Sequence, residues 1–265
     1  MKKTKILVLA TRSSYSVGVA RALHELFQPY LIIAGSSAAT AYYISQQIED
    51  LTSLRQEEIS RSHIVNPRRI RKITDVDSIV DDVLKKRYPL LLEKVFASEI
   101  IYKIPVTNII TRVEYLTPSP SIDLFECIRA TMAIPFGYPK NIHVCKEYKD
   151  SNSSGYELHI KKAQSLAEKV ICVHNDVGSS AQLTKIYLKM KSKEFKRNYA
   201  NEYEKRMKLR KKLLKNDKEN ILLLGPQKPL DFCFILNNSK QTMSDAMKQG
   251  YQETIENKRL INFLS

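Results

Sequence analysis

Several things are scarce in this 265-residue chain, and each scarcity removes a class of explanation. There are only four cysteines, Cys127, Cys145, Cys172 and Cys233. They are widely spaced and contain no C-x-x-C pair, which argues against a zinc site or a dithiol redox motif and leaves reduced, mostly buried thiols as the expectation. No apolar run approaches the roughly 20 residues that a membrane-spanning helix needs. The basic start, Met1-Lys2-Lys3-Thr4-Lys5, is followed by only five apolar residues, Ile6 to Ala10, before Thr11-Arg12. That is too short for the core of a signal peptide and suits a first sheet strand in a cytoplasmic protein. Internal repeats, low-complexity segments and recognisable nucleic-acid motifs are absent, so nucleic acid is not an expected partner. Acidic residues are also scarce: 28 Asp and Glu stand against 43 Lys and Arg, a net charge of +15. Much of that excess lies between Lys185 and Lys218, where fourteen basic residues face four acidic ones. Such a segment suits either a solvated helical face or contact with an anionic membrane surface.

The residues that are present read as one α/β domain spanning 1–265, a length that can bury a full core without a second domain. Ile6–Ala10 predicts a strand, Gly18–Leu26 a helix at 3.6-residue spacing, and Leu31–Ala34 a second strand. This β-α-β opening predicts a mostly parallel sheet covered by helices on both faces, a three-layer α/β/α arrangement. Farther along, Asp77–Leu84 predicts an amphipathic helix and 89–96 another. The β-branched run from Pro105 to Val113 predicts a strand or hairpin, and Ile122–Met132 a further helix. Short strands are expected at 142–145, 170–173, 221–224 and 232–236, and a terminal helix from Gln241 to Leu264.

Chemistry is suggested first at Gly35-Ser36-Ser37-Ala38-Ala39, where an apolar strand stops at small residues and a helix follows. In a G-x-S-x-G elbow a serine is lifted to the top of the sheet, and Gly35, Ser37 and Ala39 occupy the marked positions here. A turn of this composition also serves plain helix–strand packing, and the pattern alone does not separate the two. A reactive serine needs a base. The five histidines (His24, His63, His143, His159, His174) are scattered, each expected at the surface or in packing, and none is paired with an acid. A carboxylate acting directly on the serine is the alternative, and Asp150-Ser151-Asn152, small residues following an acid after a strand, supplies one.

Taken in order, these segments resemble the patatin-like phospholipases, in particular their bacterial branch. Gly18-Val19 is similar to the glycine opening that family's first helix, and Gly35 to Ala39 to its elbow. Asp75 to Val83 resembles a segment common after the elbow. Arg129-Ala130-Thr131-Met132-Ala133-Ile134-Pro135 resembles its R-A-S-x-A-x-P pattern, and Asp150-Ser151-Asn152 stands where its D-G-G motif falls. The Tyr199 and Tyr203 region followed by Leu224-Gly225-Pro226 is similar to the branch's C-terminal part.

The resemblance implies a patatin-like fold and a serine acyl hydrolase acting on lipid or other acyl esters without cofactor or metal. Ser37 would be the nucleophile and Asp150 its base, with Thr11, Arg12, Ser13 and Ala38 around the oxyanion. The sequence departs from the family at three places. Ala39 replaces a glycine, Ser151-Asn152 replaces two, and Ala10-Thr11-Arg12-Ser13-Ser14 keeps the arginine of the oxyanion loop without its glycines. The last departure supports an alternative expectation, a catalytically impaired protein of this fold that binds lipid or an anionic membrane surface.

Overall fold

The computed structural model describes residues 4–10, 14–36, 40, 75–108, 113–133, 138, 141–150, 156–174, 208–209, 212, 219–228, 230 and 239–265. Strand β1 (Ile6–Ala10) is buried along its whole length. It pairs in parallel with β2 (Leu31–Ala34) on one side and with β7 (Lys169–Val173) on the other. Beyond β2 lies β3 (Ile101–Asn108), and beyond β7 lies β8 (Ile221–Leu224), both parallel to their neighbours. Three antiparallel strands complete the eight-stranded sheet: β4 (Val113–Leu116) and β6 (Lys146–Asp150) on β3, and β5 (Ile142–Val144) on β6. The mostly parallel central sheet expected from the β-α-β opening is therefore present.

Burial explains why the central strands read as continuous apolar runs rather than alternating ones: both sheet faces are covered. Val8, Ala10, Ile32, Ala34, Ile171 and Val173 point into one core with helix α1 (Ser14–Leu26). Leu7, Leu9, Leu31, Ile33, Val170 and Cys172 point into a second core on the opposite face. That second core holds Ile160 and Ala163 of a helix the sequence reading did not anticipate, Tyr156–Gln164. The result is a three-layer α/β/α architecture.

Several expected elements change in detail. The helix expected over Asp77–Leu84 is a π-helix, Ser78–Arg87, burying Ile79, Val80, Val83 and Leu84. After it comes α2 (Leu92–Ala97), and then α3 (Leu124–Met132), capped by Asp123, whose side chain accepts from the Phe125 amide. Tyr156–Gln164 is α4. The terminal helix is two: α5 (Lys240–Ile255) and α6 (Lys258–Leu264). Asn257 separates them and caps the second by accepting from Leu260 N. The strand expected at 232–236 lies outside the described residues.

Helix α1 begins at Ser14, four residues before the expected Gly18. Gly18 therefore does not open the helix; it lies in its second turn, at the crossing with α5. A Cβ there would stand 1.9 Å from the Met247 carbonyl oxygen, and a Cβ on Gly250 of α5 would stand 2.2 Å from the Tyr15 carbonyl oxygen. The two helices cross with backbone against backbone, which only glycine allows at these positions.

Candidate functional site

The carboxyl edge of a parallel sheet is where chain segments leaving adjacent strands gather, and it is where ligands bind in open α/β folds. Here the ends of β1, β2 and β6 meet at that edge. Gly35, directly after β2, donates its amide to the Ala10 carbonyl at the end of β1, at 3.3 Å. Ser36 follows with φ 57°, a left-handed conformation that a non-glycine residue seldom adopts outside tight turns. The chain thus bends sharply where the elbow was expected. The bend falls on Ser36, one residue before Ser37.

Asp150 reaches the same edge from the other direction. Strand β6 runs antiparallel to β3 and ends with Asp150 opposite Val106. The β2–β3 register, with Ile33 opposite Lys103, projects Gly35 to the level of Pro105, one residue from Val106. The turn after β2 and the backbone of Asp150 accordingly lie at one level along β3. Ser37, Ala38 and Ala39, like Thr11, Arg12 and Ser13, lie outside the described residues, and Asp150 is described by its backbone.

A third segment locks onto this edge. Thr131, in the last turn of α3 and fully buried, accepts the Ser36 amide at 2.9 Å and donates its hydroxyl to the Pro105 carbonyl at 3.0 Å. One side chain thereby joins the turn after β2 to the strand that carries Asp150's partner. Nearby, Thr40 donates to the sulfur of Met132 at 3.5 Å. Thr131 belongs to the Arg129–Pro135 pattern. Its reach to Ser36, 95 residues away, could not be read from spacing.

Two residues earlier on the same helix, Arg129 is buried to 7% exposure and makes a different connection. Its guanidinium donates to Asp77, to Asp81 at 2.8 Å and to Glu126 at 3.1 Å, and Tyr138 also donates to Asp77, at 2.6 Å. Burial opposes the arginine's charge. The hydrogen bond it donates to Asp81 and the charges of Glu126 and Asp81 outweigh burial and raise its pKa. Desolvation likewise works against the Asp81 carboxylate, yet Arg129 and Lys85 hold its pKa below the usual value. The network anchors the π-helix to α3 and so braces the helix that presents Thr131.

The start of α1 is anchored from the opposite side. Tyr15 donates to Glu253 of α5 at 2.9 Å, and the same carboxylate accepts from Gln227 N at 3.1 Å and Gln249 at 2.8 Å. These contacts flank a cleft of about 320 Å³ lined by Tyr15, Leu224, Gly225 and Asn257. Because α1 starts at Ser14, its first-turn amides follow directly on the glycine-free segment 11–13 in sequence. Helix N-termini offer amides without intrahelical partners, the type of donor an oxyanion requires, and they do so without glycine.

The histidines divide between surface and packing. His24 and His143 are exposed, whereas His159 and His174 are buried. His159 Nδ1 meets the Tyr115 hydroxyl at 2.7 Å with the rings edge to face. His174, at the end of β7, stacks where a side chain on Gly225 would clash, its Nε2 2.1 Å from a Cβ built there. His63 lies outside the described residues. Two thiols are buried, and desolvation pushes both Cys127 and Cys172 up to about 12, which makes them poor nucleophiles. Cys145 is the exposed exception among the three described thiols, because it forms the turn between β5 and β6, and Cys233 lies outside the described residues.

Among the described residues no group of three or more His, Cys, Asp or Glu is arranged to hold a metal ion, and no helix is long and apolar enough to cross a membrane. Of the basic segment, only residues 208, 209 and 212 are described. Comparison with models of known protein families gives no match, and comparison with curated proteins gives none.

Proposed function

We propose that the protein is a patatin-like serine acyl hydrolase acting on lipid or other acyl esters. One observation carries the reading: the left-handed turn that leads into Ser37 and the strand end that bears Asp150 lie at one level on β3, at the carboxyl edge of the sheet. In this reading the Ser37 hydroxyl attacks the ester carbonyl carbon while Asp150 takes its proton. The oxyanion is met by amides from the start of α1 and from Ala38, beside Thr11, Arg12 and Ser13. The alcohol leaves with the proton returned by Asp150, and water then releases the acyl group from Ser37 by the same steps in reverse. The reaction needs no metal and no cofactor.

The test is active-site labelling with a fluorophosphonate together with turnover of a short-chain ester. Wild-type protein is expected to label. Ser37→Ala should not label, and Asp150→Asn should retain labelling only weakly, with turnover lowered by at least about 10³-fold. Ser36→Ala should keep labelling. Labelling that survives Ser37→Ala would sink the reading.

A second reading keeps the fold but gives it a binding role on lipid or an anionic membrane surface, with the Lys and Arg residues of 185–218 meeting the head groups. The loop Ala10–Ser14, from which every glycine is missing, favours it. Turnover lost in both Ser37→Ala and Asp150→Asn would remove its reason.

A further inference from the structure

The structure points to Thr131 as the positioning residue of the nucleophile turn, an inference that rests on the hydrolase reading. Ser36 carries the left-handed bend and is 5% exposed, so its amide cannot turn to water for a hydrogen bond. The amide is satisfied by a side chain from a distant helix, Thr131 Oγ1.

The geometry assigns each proton. Thr131 Oγ1 uses its single hydrogen toward the Pro105 carbonyl, at 3.0 Å, which leaves its lone pair to accept from Ser36 N. A hydroxyl donating at one end and accepting at the other fixes the distance between the turn and β3. The β-branched side chain, packed in a helix, has few rotamers to escape into. Since Asp150 is in register with Val106, the residue after Pro105, the same hydroxyl sets the height of the turn at Ser36 relative to the strand end that bears Asp150. Thr131 touches neither substrate nor reacting atoms. It acts through the backbone of Ser36.

The hydroxyl is removed alone by comparing Thr131→Ser with Thr131→Ala, both of which lose the methyl group. Thr131→Val, which keeps the shape, is the third variant. Two readouts are taken on the same samples: exchange of the Ser36 amide hydrogen by NMR, and kcat and KM for a short-chain ester. The Ser variant should protect the Ser36 amide and keep kcat near wild type. The Ala and Val variants should expose the amide to exchange and lose kcat on the order of 10²-fold, the scale of an ångström misplacement, with KM within about twofold. Equal exchange and equal kcat in the Ser and Ala variants would overturn the assignment, as would a Ser variant as impaired as the Ala variant. Absence of Ser37-dependent turnover in the wild type would overturn the hydrolase reading, whereas amide exchange judges the clamp without it.

Discussion

Among the described residues two that are not glycine, Ser36 and Cys145, hold left-handed backbone, with φ 57° and 61°. At Cys145 the cause is a turn of minimum length: Val144 pairs with Lys146, so a single residue reverses the chain. A left-handed residue with a Cβ costs about 1–2 kcal/mol, and glycine returns part of that gain through its larger unfolded-state entropy. Cys145→Gly should therefore raise stability by about 0.5–1 kcal/mol, read as a higher urea midpoint at unchanged m-value.

Arg129 makes the opposite case, a residue whose loss is expensive. Removing a buried cation strands Asp77 and Asp81, but both carboxylates are about a third or more exposed, which limits the penalty. Arg129→Met should cost about 2–3 kcal/mol at neutral pH. Asp81 has a lowered folded-state pKa, so its contribution is present above the unfolded value near 3.9 and is lost as pH falls through the lower folded one. The variant should accordingly lose less stability than wild type as pH falls below about 4 in urea titrations.

The residue scale is also where the sequence was least legible. Glycine announced the turn at Gly35, but a left-handed serine carries no such mark. The partners of Arg129, 48 and 52 residues away, are set by packing and not by spacing.

Among the elements, the crossing of α1 and α5 bears most on the candidate site, because α1 starts at Ser14, directly after residues 11–13 in sequence. Gly18→Ala and Gly250→Ala each drive a methyl into a carbonyl oxygen of the other helix. The gain in helix propensity, about 1 kcal/mol, recovers only part of the overpacking, and each variant should be destabilised by roughly 2–3 kcal/mol in urea denaturation. Once one methyl has separated the helices the second meets less resistance, so the double variant should fall short of the sum.

Elements with clean apolar periodicity, β1, β2, α3, β7 and β8, were legible. Helix α4 was not, for a physical reason: its buried face is His159, Ile160 and Ala163, while Leu158 is 51% exposed. A polar residue inside and an apolar one outside break the period on which the reading depends. The continuous terminal helix failed at Asn257, whose capping role shows only when its side chain is seen on the Leu260 amide.

For the molecule as a whole, the β-α-β opening made the parallel sheet legible, because such connections leave few topologies. The antiparallel pairing of β6 on β3 was not, since nothing in a five-residue strand says which neighbour it joins or in which direction. That pairing is nevertheless what brings Asp150 to the level of the turn after β2. Charge belongs to this scale too. With a net +15, the protein should co-sediment with anionic phospholipid vesicles at low ionic strength, ignore neutral ones, and release at about 1 M salt, where screening shortens the reach of charge to about 3 Å. Binding indifferent to salt and to lipid charge would exclude the basic segment as the contact.

The hydrogen bond from Tyr15 to Glu253 spans 238 residues of sequence. During synthesis α1 leaves the ribosome long before the helix that covers it, α5, is made. Over that interval the nascent chain carries the bare face of α1, with Gly18 uncovered, and β1 waits in the same way, for a shorter stretch, for β7. The seam between α1 and α5 closes late, so a ribosome that stops before residue 240 releases a chain with α1 uncovered, suited to chaperones and proteases.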